Sequence, residues 1–241
     1  MQFQNAKDDA AVMPWIKVFL YGNTGVGKTL QASMFPEPVI LYPAVEGSIV
    51  TLRGKDVLYR AIAKPSEMIE TLRYLNDVQA RQGADKLPGS TLVLESMSHY
   101  CDMVASDEGS KRPRGMDQAG WGAVKTHFQL ITGLLANLQM HVVYTSLAAE
   151  PAMEEARAGC PLLAGASKTL VPATCDIIAY MEVSTPMGKA PVHTVHLAPW
   201  RNFMARHRFR TLGLPDTMTV GTDPTTNSLW AQLCGQLAPK K

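Results

Sequence analysis

Short apolar runs recur along the chain at 16–21, 39–42, 57–62, 91–94 and 141–146, each bounded by polar or turn-forming residues. Runs of this kind, without strict alternation, read as strands buried in a sheet. Between them the spacing changes to that of helices. Residues 29–35 form a helix-compatible segment stopped by Pro36, and 66–82 a helix with Ser66 as its N-cap and Ile69, Leu72 and Leu75 on one face. A further helix continues from Ser96 to about Ala105. Asp117 caps another, in which Trp121, Val124, Phe128, Ile131, Leu135 and Leu138 recur at helical spacing, which assigns Trp121 and Phe128 to the core and not to a stacking platform. Late in the chain, 176–183 and 192–197 flank the turn 185–189 and predict a β-hairpin, after a short helix at 167–171. Strands alternating with helices give an α/β class with a mainly parallel sheet. The expected organisation is a polar lead-in at 1–14, a core at 15–212 and a tail at 213–241 with a short helix at 228–237.

A length of 241 residues and an apolar fraction of 46% suit one core of this class. The net charge of +2 means that contact with nucleic acid has to come from a local patch. Cys101, Cys160, Cys175 and Cys234 lie far apart, which argues for reduced thiols and against a zinc site or disulfide framework. Residues 1–14 carry Lys7, Asp8 and Asp9 and lack the apolar stretch of a signal peptide, and no run is long enough to span a membrane. A cytoplasmic setting is therefore expected.

The chemistry centres on Gly22-Asn23-Thr24-Gly25-Val26-Gly27-Lys28-Thr29, which meets every fixed position of the phosphate-loop pattern. Its glycines let the backbone curl around a polyphosphate so that successive N–H groups face inward. Lys28 is placed to reach the β- and γ-phosphates of ATP and the Thr29 hydroxyl to ligate Mg²⁺, with Leu30 closing the set of binding residues. Glu46 follows a strand expected beside the loop. It can orient or deprotonate water near a γ-phosphate, or stand as a solvated turn residue. Glu95 ends the strand 91–94, where an acid, usually Asp, holds Mg²⁺ or its water. Within residues 107–118, Lys111, Arg112 and Arg114 form a basic loop, while 147–165 is long and irregular, with acids at Glu150, Glu154 and Glu155. His193 and His196 are expected to be structural. In an extended segment Arg206, Arg208 and Arg210 share one side, as arginine fingers, as a phosphate-backbone patch or as a solvated edge.

The order of these parts resembles the compact RecA-like P-loop ATPase core of bacteriophage recombination proteins, which include single-strand annealing proteins. The likeness rests on residues 21–29, Val45-Glu46-Gly47, Leu94-Glu95-Ser96, residues 143–146 and Ala205-Arg206-His207-Arg208, and covers about 15–215. It implies ATP binding with Mg²⁺ held by Thr29 and Glu95, Glu46 as hydrolytic base, and Arg206 and Arg208 reaching a neighbour's ATP in a ring or filament. It also implies that 106–118 and 147–165 face single-stranded DNA, with a single-strand-binding protein as a further partner in the host cytoplasm. Two other functions fit the phosphate loop: a small-molecule or nucleotide kinase, and a nucleotide-gated binding module that hardly turns ATP over.

Overall fold

The structure, a computed structural model, describes residues 15–151, 158–209 and 213–237. Its frame is a nine-stranded sheet. The strands are β1 (Lys17–Gly22), β2 (Pro38–Pro43), β3 (Leu58–Ile62), β4 (Thr91–Leu94), β5 (His141–Ser146), β8 (Ile177–Ser184), β9 (Val192–His196), β10 (Arg206–His207) and β11 (Thr217–Val220). A separate two-stranded ladder pairs β6 (Ala148–Ala149) with β7 (Cys160–Pro161). The spatial order β11-β9-β8-β1-β5-β4-β2-β3 keeps β8 through β3 parallel, while β9, β10 and β11 run antiparallel to their neighbours. All parallel strands therefore present their carboxyl ends at one edge, where ligands of open α/β sheets bind.

Helices cover both faces, as a largely parallel sheet requires. On one face lie α2 (Pro65–Gln82), α3 (Met97–Ser110), α4 (Gln118–Ala136) and α5 (Ser167–Ala173), burying Leu72, Tyr100, Phe128, Ile131 and Val171 against Phe19, Tyr21 and Leu92. On the other lie α1 (Lys28–Ala32), a 3₁₀ turn at Ser48–Leu52 and α6 (Leu229–Leu237), which meet Val18, Leu20, Ile40 and Val143. Alternate residues of β1 thus feed two cores, and each large apolar side chain so buried contributes about 1.5–3 kcal/mol.

The hairpin β8–β9 and the Asp117 cap are as the sequence predicts: Asp117 Oδ1 accepts from Gly120 N at 2.7 Å. Elsewhere the structure departs from the sequence-based expectation. Lys64, not Ser66, precedes α2 as its N-cap, because Pro65 takes the first helical position and Glu67 reaches back to the amide of Ala63 (2.8 Å). Helix α3 runs on to Ser110, since Asp107 and Glu108 sit one turn from Lys111 and pair with it. Trp121 is 41% exposed and lies against Gly165, where an added Cβ would come within 2.8 Å of the indole. Strand β2 is not beside β1, for β5 and β4 stand between them. Arg206 and Arg208 do not belong to a long extended segment, since only Arg206 and His207 pair with β8, and Arg210 lies outside the described residues.

The largest correction concerns the tail expected from residue 213. Its described residues, 213–237, are no appendage, because β11 is the edge strand of the sheet and Leu229 and Leu233 of α6 are fully buried. The buried Gln31 of α1 fastens this piece, donating to Gly221 O (2.7 Å) and accepting from Leu229 N (2.8 Å). Leu229→Ala should therefore cost about 2–5 kcal/mol in urea unfolding, the penalty of a core site; a loss below about 0.5 kcal/mol would mark the segment as peripheral.

Candidate nucleotide site

The site lies at the carboxyl edge of the sheet, where β1 runs into the phosphate loop. Gly22 pairs with Met181 of β8, and a Cβ there would stand 2.1 Å from the Met181 carbonyl oxygen, so no larger residue fits. Gly27 has φ 96°, a left-handed conformation that reverses the chain into α1. Because α1 has only five residues, the loop's own N–H groups, more than a helix dipole, make the anion nest. His193 of β9 braces the loop from outside, its Nδ1 2.8 Å from the Val26 carbonyl; a carbonyl only accepts, so that nitrogen carries the proton.

Lys28 is buried inside the loop it closes. Its Nζ donates to the carbonyls of Gly22 (3.0 Å) and Asn23 (2.8 Å), which leaves one of its three N–H donors. Burial pushes its pKa down, and the nearby carboxylates of Glu95 and Glu46 oppose that shift. Thr29, next in α1, donates its hydroxyl to Glu95 Oε1 at 2.8 Å.

Glu95 stands just past β4 and is only 3% exposed. Ser48, at the start of the 3₁₀ turn, also donates to its Oε1 (3.2 Å), whereas the buried Oε2 has no hydrogen-bond partner. Burial pushes the Glu95 carboxyl above its ordinary value, the hydroxyls of Thr145, Thr29 and Ser48 oppose the rise, and the charge of Glu46 adds to it. A buried carboxylate with one orphaned oxygen beside a threonine hydroxyl fits a hard divalent cation, which needs oxygen ligands and few protein groups. Thr29 and Glu95 would hold Mg²⁺ here. When bound, it would neutralise charge on the phosphates.

Glu46 is close by, although its strand is three places away. Beyond β2 the chain turns back, and Glu46 Oε1 accepts from Ser48 N (3.1 Å) while Oε2 accepts from Ser96 Oγ (3.3 Å) and contacts His99 Nδ1. Ser48 thereby ties Glu46 to Glu95. Ser96 follows Glu95 through a cis peptide. The spacing of motifs could locate Glu46 and Glu95, but not Ser48, His99 or His193, whose only sequence mark is that His99 lies three residues after Ser96 at the start of a helix.

The remaining predicted site residues lie elsewhere. Lys111 pairs with Asp107 and Glu108, and Arg112 with Glu108 and Asp117, so two of the three loop cations have acidic partners, while Arg114 is exposed. The segment after β5 is not wholly irregular, since β6 and β7 pair within it; its residues 152–157, with Glu154 and Glu155, fall outside the described ones. Arg206 and Arg208 sit at the opposite, amino-terminal edge of the sheet. Arg206 donates to Pro172 O (3.0 Å), and Arg208 to Ala173 O (2.7 Å) and Asp176 Oδ1 (3.3 Å), so both brace the end of α5 in their own chain.

A phosphate loop on β1, an acid after β4 and β5 inserted between those strands define a P-loop ATPase domain with a RecA-type sheet. The family model that matches residues 15–209 is that of the AAA domain, and the chain belongs to that family. Among solved structures it is similar to a KaiC-like protein from the hyperthermophilic archaeon Pyrococcus horikoshii (TM-score 0.50, 12% identity, 87% of this chain and 86% of that one). It is also similar to an ATPase of the type III secretion system of pathogenic bacteria (TM-score 0.46, 14% identity, 69% and 51%). No curated protein matches the chain. No helix among the described residues is long and apolar enough to cross a membrane.

An acid whose pKa is raised by folding adds stability below its unfolded value, about 4.5, and that stability is lost as pH rises through the folded value. In metal-free protein Glu95→Gln should raise the melting temperature above wild type at pH 7–8, with the gap closing towards pH 4. If Thr29 and Glu95 hold Mg²⁺, the same variant should lose whatever stabilisation Mg²⁺ with ATP gives wild type; an equal gap at both pH values would show that the carboxylate carries no burial penalty.

Proposed function

We propose that the chain binds Mg²⁺-ATP in this loop and hydrolyses it, with Glu46 as the base. The reading rests on the convergence of Thr29, Glu95 and Glu46, drawn from three separate segments, into one hydrogen-bonded group joined through Ser48, with the buried ammonium of Lys28 beside it. The loop amides and the remaining donor of Lys28 take the β- and γ-phosphates. Glu46 keeps the acceptor capacity to take a proton from an attacking water, a step that a carboxylate held within hydrogen-bond reach accelerates by about 10²–10⁴.

Lys28→Ala should abolish binding of a fluorescent ATP analogue. Glu46→Gln should keep that affinity within about threefold while phosphate release falls by about 10²-fold or more. Wild-type binding without phosphate release would leave the second reading, a nucleotide-gated binding module. Release of a phosphorylated nucleoside in place of inorganic phosphate would make the protein a kinase.

We further propose single-stranded DNA as the partner, in the manner of the recombination ATPases that the chain resembles, with the loop after α3 as the contact. The exposed Arg114 supports it, and the acidic partners of Lys111 and Arg112 count against a large contribution from those two. If all three cations meet phosphates, replacing them with alanine should flatten the log–log salt dependence of DNA affinity by about 2. A flattening near 0.7 would leave Arg114 alone, and none would remove the loop. Arg206 and Arg208 act in this scheme as braces for α5; a role at a neighbour's ATP would need an assembly in which they give up the carbonyls of Pro172 and Ala173.

A further inference from the structure

We propose that His99 is a positioning residue for the hydrolytic carboxylate: its Nδ1–H holds Glu46 Oε2 in place from the first turn of α3. The inference rests on the assignment of Glu46 as the base. Glu46 is carried by an irregular turn, where the flanking Ala44, Val45 and Gly47 are exposed and supply no packing that would fix a side chain. The Glu46 side chain is itself only 11% exposed, and the contacts that orient its carboxylate are hydrogen bonds. Ser48 N fixes Oε1, and Ser96 Oγ and His99 Nδ1 together fix Oε2.

His99 is suited to this because its own ring is held. Ser96, one turn earlier, lies 2.9 Å from the same Nδ1. A carboxylate only accepts, so Nδ1 carries a proton and shares it between Glu46 Oε2 and the Ser96 oxygen, while the Ser96 hydroxyl gives its own proton to Glu46. The three groups form a closed triangle around one carboxylate oxygen. The trio of Ser, His and Glu is not a nucleophilic triad. In such a triad the serine meets one ring nitrogen and the acid the other, whereas here both meet Nδ1, so the imidazole cannot relay a proton from Ser96. The side chain is 40% exposed, and Nε2 takes no part in the contacts with Glu46 and Ser96.

Because the contact is made by Nδ1, the side chains that can replace histidine are defined. Asn carries its amide nitrogen at the position of Nδ1 and should restore the hold. Gln places its nitrogen at that of Nε2, too far out, and should not. The test is steady-state ATP hydrolysis by His99→Ala, His99→Gln and His99→Asn, each checked for an unchanged melting temperature. The expected result is a kcat lowered on the order of 10²-fold for Ala and Gln, the scale of a misplaced catalytic group, with KM for ATP within about twofold. His99→Asn should recover most of the loss. Wild-type kcat in His99→Ala, or equal kcat in Asn and Gln, overturns the proposal. Imidazole ¹H–¹⁵N NMR tests the contact without turnover: the His99 Nδ1–H resonance should shift or vanish in Glu46→Ala, and an unmoved resonance would sink it. If wild type binds ATP but releases no phosphate, the hydrolytic assignment of Glu46 fails by itself, and the NMR result still decides whether His99 holds that side chain.

Discussion

A carboxylate taken out of water has to be compensated, and the centre of this molecule is built around one that is compensated only in part. Glu95 gives one oxygen to Thr29 and Ser48 and leaves the other buried without a partner. The neighbouring ammonium of Lys28 is itself desolvated, and the carboxylates of Glu95 and Glu46 limit the cost of burying it. In an apolar interior such a grouping would be a defect. At the mouth of a phosphate loop the same grouping would suit a hard divalent cation. The backbone around it is correspondingly constrained, with Gly22 pressed on Met181 and Gly27 in a left-handed turn.

The sheet order brings this about. Placing β5 between β1 and β4 separates the loop from Glu95 by one strand width on either side of β5, a gap that the reach of a threonine and a glutamate closes. Placing β2 beyond β4 would leave Glu46 too far away, were it not for the return of the chain through residues 44–48. Ser48 is the joint of that return, touching both carboxylates. The parallel strands also bring Ser146, at the end of β5, into register with Tyr21 at the mouth of the loop.

Features encoded locally were legible in the sequence. The phosphate loop is a contiguous pattern, the hairpin is an alternation across one turn, and Asp117 caps a helix from three residues away. Glu46 and Glu95 were legible as acids ending strands, since strand ends collect at one edge. What joins them was not, because Ser48, Ser96 and His99 acquire their meaning only when three strands are assembled. The alternation at 206–210 misled for the same reason. A row of arginines looks outward in an extended segment, but the short β10 lays Arg206 and Arg208 on the carbonyls of Pro172 and Ala173 at the end of α5. The carboxyl-terminal segment looked detachable because its strand is only four residues long and its apolar positions are few. Its partners lie far back in the chain.

That distant partnership bears on where the domain ends. The family model stops at residue 209, yet the amide of Gln31, in the helix that holds Lys28 and Thr29, has both its hydrogen-bonding ends occupied by Gly221 and Leu229. A fragment trimmed to the family boundary would leave that amide stranded in an opened core and strip β9 of its outer neighbour. The family's boundary and the boundary of the folding unit are therefore different places in this chain.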